Sequence, residues 1–354
     1  MALPPWGGMI VRESSSVPRV TGVRMPATST KSRVKLAIKA VLTVLVLAFV
    51  GLHVDETRRK LLKSGQVPRP DAAWISAAVG LYLAGLSAFG LFFWRTLMAG
   101  ATPTRAFPAI RAYLISHLGK YVPGKAMVVV MRAGLVVPHG ARPATAAFAT
   151  LYETLVMMAA GGLVAGLGFA VGSGPSARVP VPLFGGREVE APLAVMSLGL
   201  GLAFLVVVWP AVFPRLAGLA SAPLRNVGPD ALPRFSIALL AEGLAWSALG
   251  WVLLGLSQVA VIRGLTPAGL PASTWVLAIA SVALATVAGF VVPISPGGLG
   301  VREWVLWTAL ASAIDRDLAV VAALVLRLAW VIGEVLAAAI LTAIRPVPPE
   351  PSPP

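Results

Sequence analysis

The chain has 354 residues, 57% of them hydrophobic and only 12% charged, with a mean hydropathy of +0.84. That balance excludes an ordinary soluble domain and predicts an all-α, multi-span membrane protein. Its 29 basic and 14 acidic residues give a formal charge of +15, an excess that suits anionic lipid headgroups; no basic run interleaved with aromatics points to nucleic acid.

Cysteine is absent, which removes disulfides, thiolate catalysis and cysteine-ligated metals together. The three histidines, His53, His117 and His139, are scattered without ligand spacing. Neither a metal nor another cofactor is expected.

Residues 1–33 are rich in Ser, Pro and Arg and lack periodicity, which predicts a disordered cytoplasmic tail. Met25 is a second candidate start, because the basic segment TSTKSRVKLAIK after it is enough to hold this end inside. The membrane domain is expected over 34–345, and its first span over 34–52. Residues 53–72 carry Arg58, Arg59, Lys60, Lys63 and Arg69, which fall on the outer face if the N-terminus is inside, or form an interfacial turn.

The second span is expected over 73–98. In 104–140 the apolar runs on either side of GKYVPGK are each too short to cross alone, so a re-entrant hairpin is predicted. A third span covers 144–172, the loop 173–190 leads to a fourth over 191–213, and the arginine-bearing loop 214–235 reads as cytoplasmic. A fifth span (236–262), a sixth (273–292), a broken segment with a short helix, and a last span (317–344) follow. The count is seven spans, or eight if 297–314 crosses. The Pro-rich tail 346–354 cannot form helix.

The broken segment is GFVVPISPGGLGVREWVLW, residues 289–307. Pro293 and Pro296 remove backbone donors, and Gly297, Gly298 and Gly300 permit angles other residues resist, so no continuous helix runs through it. In hydrocarbon such a break is tolerated only when buried in protein or lining a wet cavity. The two breaks share a spacing. Gly119, Pro123 and Arg132 in the first match Gly289, Pro293 and Arg302 in the second, and each is followed by a span with an internal glutamate, Glu153 or Glu334. The match suggests a duplicated unit, parallel or inverted, as transporters often carry.

Glu153, Glu242, Glu334 and Arg327 fall inside apolar runs, and Arg132, Arg302 and Glu303 sit beside the breaks. Each costs about 2.5–3.5 kcal/mol at mid-bilayer, so each is expected to face an interior or an aqueous cavity and to pair. One reading makes Arg132–Glu153 and Arg302–Glu334 fixed ion pairs that set helix register. The other makes the charges a site, with turn amides and arginines holding a phosphate. Arg327 and Glu334, seven apart on one face, can line one cavity without touching. The candidate substrate-binding set is Gly119, Lys120, Pro123, Gly124, Lys125, Arg132, Glu153, Ser295, Pro296, Gly297, Gly298, Gly300, Arg302, Glu303, Arg327 and Glu334. Asp315 and Asp317 form an Asp-x-Asp ahead of the last span, where Asp317 reads as a helix N-cap in preference to a metal ligand.

GKYVPGKAMVVVMR (119–132) and VPISPGGLGVRE (292–303) carry a resemblance. Over residues 36–344 the chain resembles the lysylphosphatidylglycerol synthase transmembrane-region family, also found as the flippase half of bacterial multiple-peptide-resistance proteins. The resemblance implies a multi-pass inner-membrane protein that moves a lipid or lipid-linked headgroup between leaflets, with membrane lipids, anionic or lipid-linked, as partners. It carries Gly119, Pro123, Gly124 and Arg132 from the first motif, and Pro293, Ser295, Pro296, Gly297, Gly298, Gly300, Arg302 and Glu303 from the second. Two departures stand out. Glu153 is followed by Thr154 where the family commonly shows an acidic-arginine pair. The chain also ends soon after its last span, leaving no room for a soluble aminoacyl-transferase domain, so a stand-alone, non-enzymatic member is expected. Two alternatives stay open: an accessory subunit for a separate glycosyl- or aminoacyl-transferase, and a membrane-embedded lipid transferase using Asp315, Asp317 and Glu303.

Overall fold

A computed structural model describes residues 70–102, 104–121, 126–172, 178–182, 188–221, 232–266, 269–292, 300–311 and 313–344. The expected span 34–52, the two tails and the basic segment 53–69 lie outside the described residues.

Helix α1 (Ala72–Ala99) begins where the Asp71 side chain accepts the Ala73 N–H at 2.8 Å, satisfying one of the donors a helix start leaves open. Helix α2 (Ala106–Ser116) runs into a 3-10 turn (His117–Tyr121), and α3 (Ala126–Val136) packs back against α2. This is the expected short-armed hairpin. Arg111 of α2 donates to the Leu341 carbonyl at 2.7 Å, tying the hairpin to the far end of the last helix.

Helix α4 (Pro143–Gly172) follows, then strands β1 (Arg178–Pro182) and β2 (Glu188–Pro192), paired antiparallel with Arg178 opposite Pro192. The hairpin was expected to be loop. Pro180 and Pro182 push the valines before them into extended backbone, and the prolines limit the sheet to two strands.

Helix α5 (Leu193–Val208) is shorter than its expected span. Pro210 and Pro214 follow it, and α6 (Phe213–Ser221) leaves at 69° to it. Helices α7 (Ile237–Leu265) and α8 (Ala272–Val291) come next, then the short α9 (Val301–Leu310) and the last span α10 (Arg316–Ala343). Among the described residues five helices, α1, α4, α7, α8 and α10, are long and apolar enough to cross a membrane, or six if the bent α5–α6 pair is one span. The chain is therefore a multi-pass helical bundle.

Close packing in lipid favours small residues at crossings. A Cβ on Gly243 of α7 would sit 2.2 Å from the Phe92 ring of α1, and one on Gly250 would sit 2.3 Å from Phe89. The phenylalanines thus fill grooves that glycines leave. Trp251, fully buried beside them, donates its indole N–H to the Met157 carbonyl of α4 at 2.8 Å.

Candidate functional site

On α10, Arg327, Trp330 and Glu334 are three and four residues apart and so share a face. Opposite them lie Lys120 and Tyr121 of the 3-10 turn and Arg302 and Glu303 of the first turn of α9. Together they line a cleft whose empty space, the open solvent at its mouth included, is about 390 Å³. The described flanks of the two motifs and the last span therefore meet at one place.

The residues that flank 293–299 are both non-helical. Val292, preceding Pro293, is extended at φ −78° and ψ 109°, and Gly300 has φ 85°, a backbone region that side chains resist. Glu303 is nearly fully buried and both its oxygens are used. Oε2 accepts the Gly300 N–H at 2.7 Å and Oε1 accepts Arg327 Nη1 at 2.6 Å. One carboxylate thus caps α9 and anchors it to α10. The Gly300 amide, expected to help hold a phosphate, is committed to that cap.

Glu334 is 1% exposed. Its Oε1 accepts Lys120 Nζ at 2.5 Å and also the Tyr82 hydroxyl, with His117 Nε2 3.9 Å away; its Oε2 has no partner among the described residues. Arg302 was the expected partner of Glu334, and that expectation is corrected. Glu334 faces the 3-10 turn and α1, whereas the Arg302 guanidinium lies 4.4 Å from the centroid of the Trp330 ring. Trp330 is itself fixed: its ring stacks on Tyr82 at 4.2 Å and 8°, and its indole N–H donates to Ser257 at 3.0 Å. Among the described residues no carboxylate lies within ion-pair distance of Arg302.

Arg132 and Glu153 form the other expected pair, at 2.9 Å, with side-chain exposures of 2% and 1%. Arg132 Nε also donates to Ser116 at 3.1 Å, Tyr113 donates to Glu153 at 3.0 Å, and the guanidinium sits 3.9 Å from the Tyr113 ring centroid. Every charge here is answered, and neither residue lines the cleft. Arg132 supplies, from α3, the cation that Thr154 does not.

Gly119 is also structural: a Cβ there would lie 3.0 Å from the Val128 nitrogen, so glycine lets the turn close on α3. Glu242, placed by sequence inside an apolar run, pairs instead with Arg95 at 2.6 Å, with 31% and 45% of the two side chains exposed. It lies near the start of α7. The N-cap of α10 is Asp315, whose side chain accepts the N–H groups of Asp317 at 2.9 Å and Leu318 at 3.2 Å; Asp317 sits within the first turn. Among the described residues no group of three or more His, Cys, Asp or Glu is placed to hold a metal. Pro123, Gly124, Lys125, Pro293, Ser295, Pro296, Gly297 and Gly298 lie outside the described residues.

Sequence reasoning missed Tyr82, Tyr113 and Trp330, which orient the charges. A signal existed. The chain has four tyrosines, and Tyr82 and Tyr113 stand within apolar runs where a hydroxyl needs a partner.

Two comparisons bear on identity. The family model described as lysylphosphatidylglycerol synthase TM region matches residues 34–338. No curated protein matches the chain.

Proposed function

The chain belongs to the lysylphosphatidylglycerol synthase TM region family, and from that premise we propose that it is a translocase that binds a phosphate-bearing lipid headgroup in the cleft and moves it between leaflets. The observation that carries the reading is Arg302: a cation inside a membrane bundle, 4.4 Å from the centroid of the Trp330 ring, with no described carboxylate within ion-pair distance. A guanidinium offers paired N–H donors to a bidentate partner, and phosphate fits that fork. The bilayer penalises an unanswered charge, so the site is completed by an anion.

Acyl chains would remain in lipid while the headgroup crosses, following rearrangement of the hairpin turn and α9 against α10. The bacterial inner membrane is the setting this reading assigns, with the N-terminus inside. Arg302→Ala in the purified protein, reconstituted in liposomes with fluorescent anionic lipid, is expected to slow headgroup movement at least tenfold. Arg302→Lys restores charge but not the fork and is expected to recover only part of the rate. If both variants move lipid at the wild-type rate, Arg302 holds no headgroup and the reading fails.

A further inference from the structure

The charges around the cleft specify more than the sign of its ligand. Lys120, Arg302 and Arg327 face Glu303 and Glu334, three cations against two carboxylates. The pairing is one to one, with Lys120 on Glu334 at 2.5 Å and Arg327 on Glu303 at 2.6 Å, and Arg302 is left over. His117, with Nε2 3.9 Å from Glu334, is not among the residues that line the cleft. The described lining residues thus carry one uncompensated positive charge.

We propose that the cleft selects a ligand with one net negative charge, a phosphodiester monoanion, over diphosphates, zwitterions and cationic headgroups. The inference rests on the reading of the cleft as a phosphate-headgroup site. In a water-poor interior, residual charge of either sign is penalised, so the best ligand brings the total to zero. A diphosphate overshoots. A zwitterion leaves the excess positive charge in place, and an amine-bearing headgroup with net positive charge makes the imbalance worse.

The test uses the full chain in phosphatidylcholine nanodiscs, with bound lipid counted by native mass spectrometry. The competing probes are phosphatidylethanol (monoanionic diester), phosphatidate at pH 8 (more than one negative charge), a polyprenyl diphosphate, and lysylphosphatidylglycerol (net positive). Phosphatidylethanol is expected to bind at least tenfold better than each of the others. Preference should then track cleft charge. Arg302→Gln is expected to abolish the advantage over phosphatidylcholine, and Glu303→Gln, which frees Arg327, is expected to move preference toward phosphatidate. The wild-type ranking decides the matter even if Glu303→Gln fails to fold. A wild-type preference for the diphosphate or for lysylphosphatidylglycerol overturns the proposal while leaving a headgroup site in place. Failure to bind any of the lipids removes the headgroup site and the proposal together. Dimethyl phosphate competing as well as phosphatidylethanol supports the charge rule but assigns the cleft to a free phosphodiester.

Discussion

Glu153 and Glu334 are buried carboxylates in parallel settings: each accepts one tyrosine hydroxyl and one basic side chain, Tyr113 with Arg132 and Tyr82 with Lys120. They differ in closure, because the first cluster is sealed and the second opens on the cleft and keeps an unpartnered oxygen. Removing one member of the sealed pair strands a buried charge, so Arg132→Met is expected to cost about 3–5 kcal/mol. Replacing both, Arg132→Met with Glu153→Leu, is expected to recover most of that loss. Thermal unfolding in detergent checks it, and a double variant no more stable than the single one would show that the pair does more than balance charge. That these charges need partners was legible in sequence. Which partner each takes was not, since Lys120 and Glu334 are 214 residues apart and several cations were candidates.

At the scale of elements, most boundaries follow from local chemistry. Prolines end α5, and Val292 is extended because Pro293 follows it. Asp315 starts α10 by accepting two N–H groups, so Asp315→Ala is expected to lower stability by about 1 kcal/mol. Asp317→Ala, which removes only a first-turn charge, is expected to cost less. Equal losses, or a loss that added Mn or Mg reverses, would mean that the two aspartates act as a unit. Gly300→Ala tests the start of α9 in the same way: its positive φ predicts a loss of about 1–2 kcal/mol. A stability unchanged in the same melting experiment would show that this turn adjusts without strain. Sequence placed the α10 cap two residues late, because Asp315 and Asp317 are equally good capping residues and only backbone direction chooses between them.

Across the molecule, the 3-10 turn of the first hairpin and α10 are held together by Lys120–Glu334, and Arg111 ties the hairpin to the last turn of α10. If headgroup passage requires these elements to separate, fixing them should stop it. The chain has no native cysteine, so Lys120→Cys with Glu334→Cys can be bridged by a thiol-reactive linker without background. Bridging is expected to block lipid movement in liposomes and cleavage of the linker to restore it; unimpeded movement through the bridged protein would rule out that separation. The sequence by itself determined the solvent, the approximate spans, the two interruptions and the demand that interior charges pair, because hydropathy, proline and glycine act locally. Only the tertiary structure decided which charges satisfy each other and which is left over. Pairing depends on how helices distant in sequence are rotated and set against one another, and that is fixed by packing such as Phe89 and Phe92 on the glycines of α7.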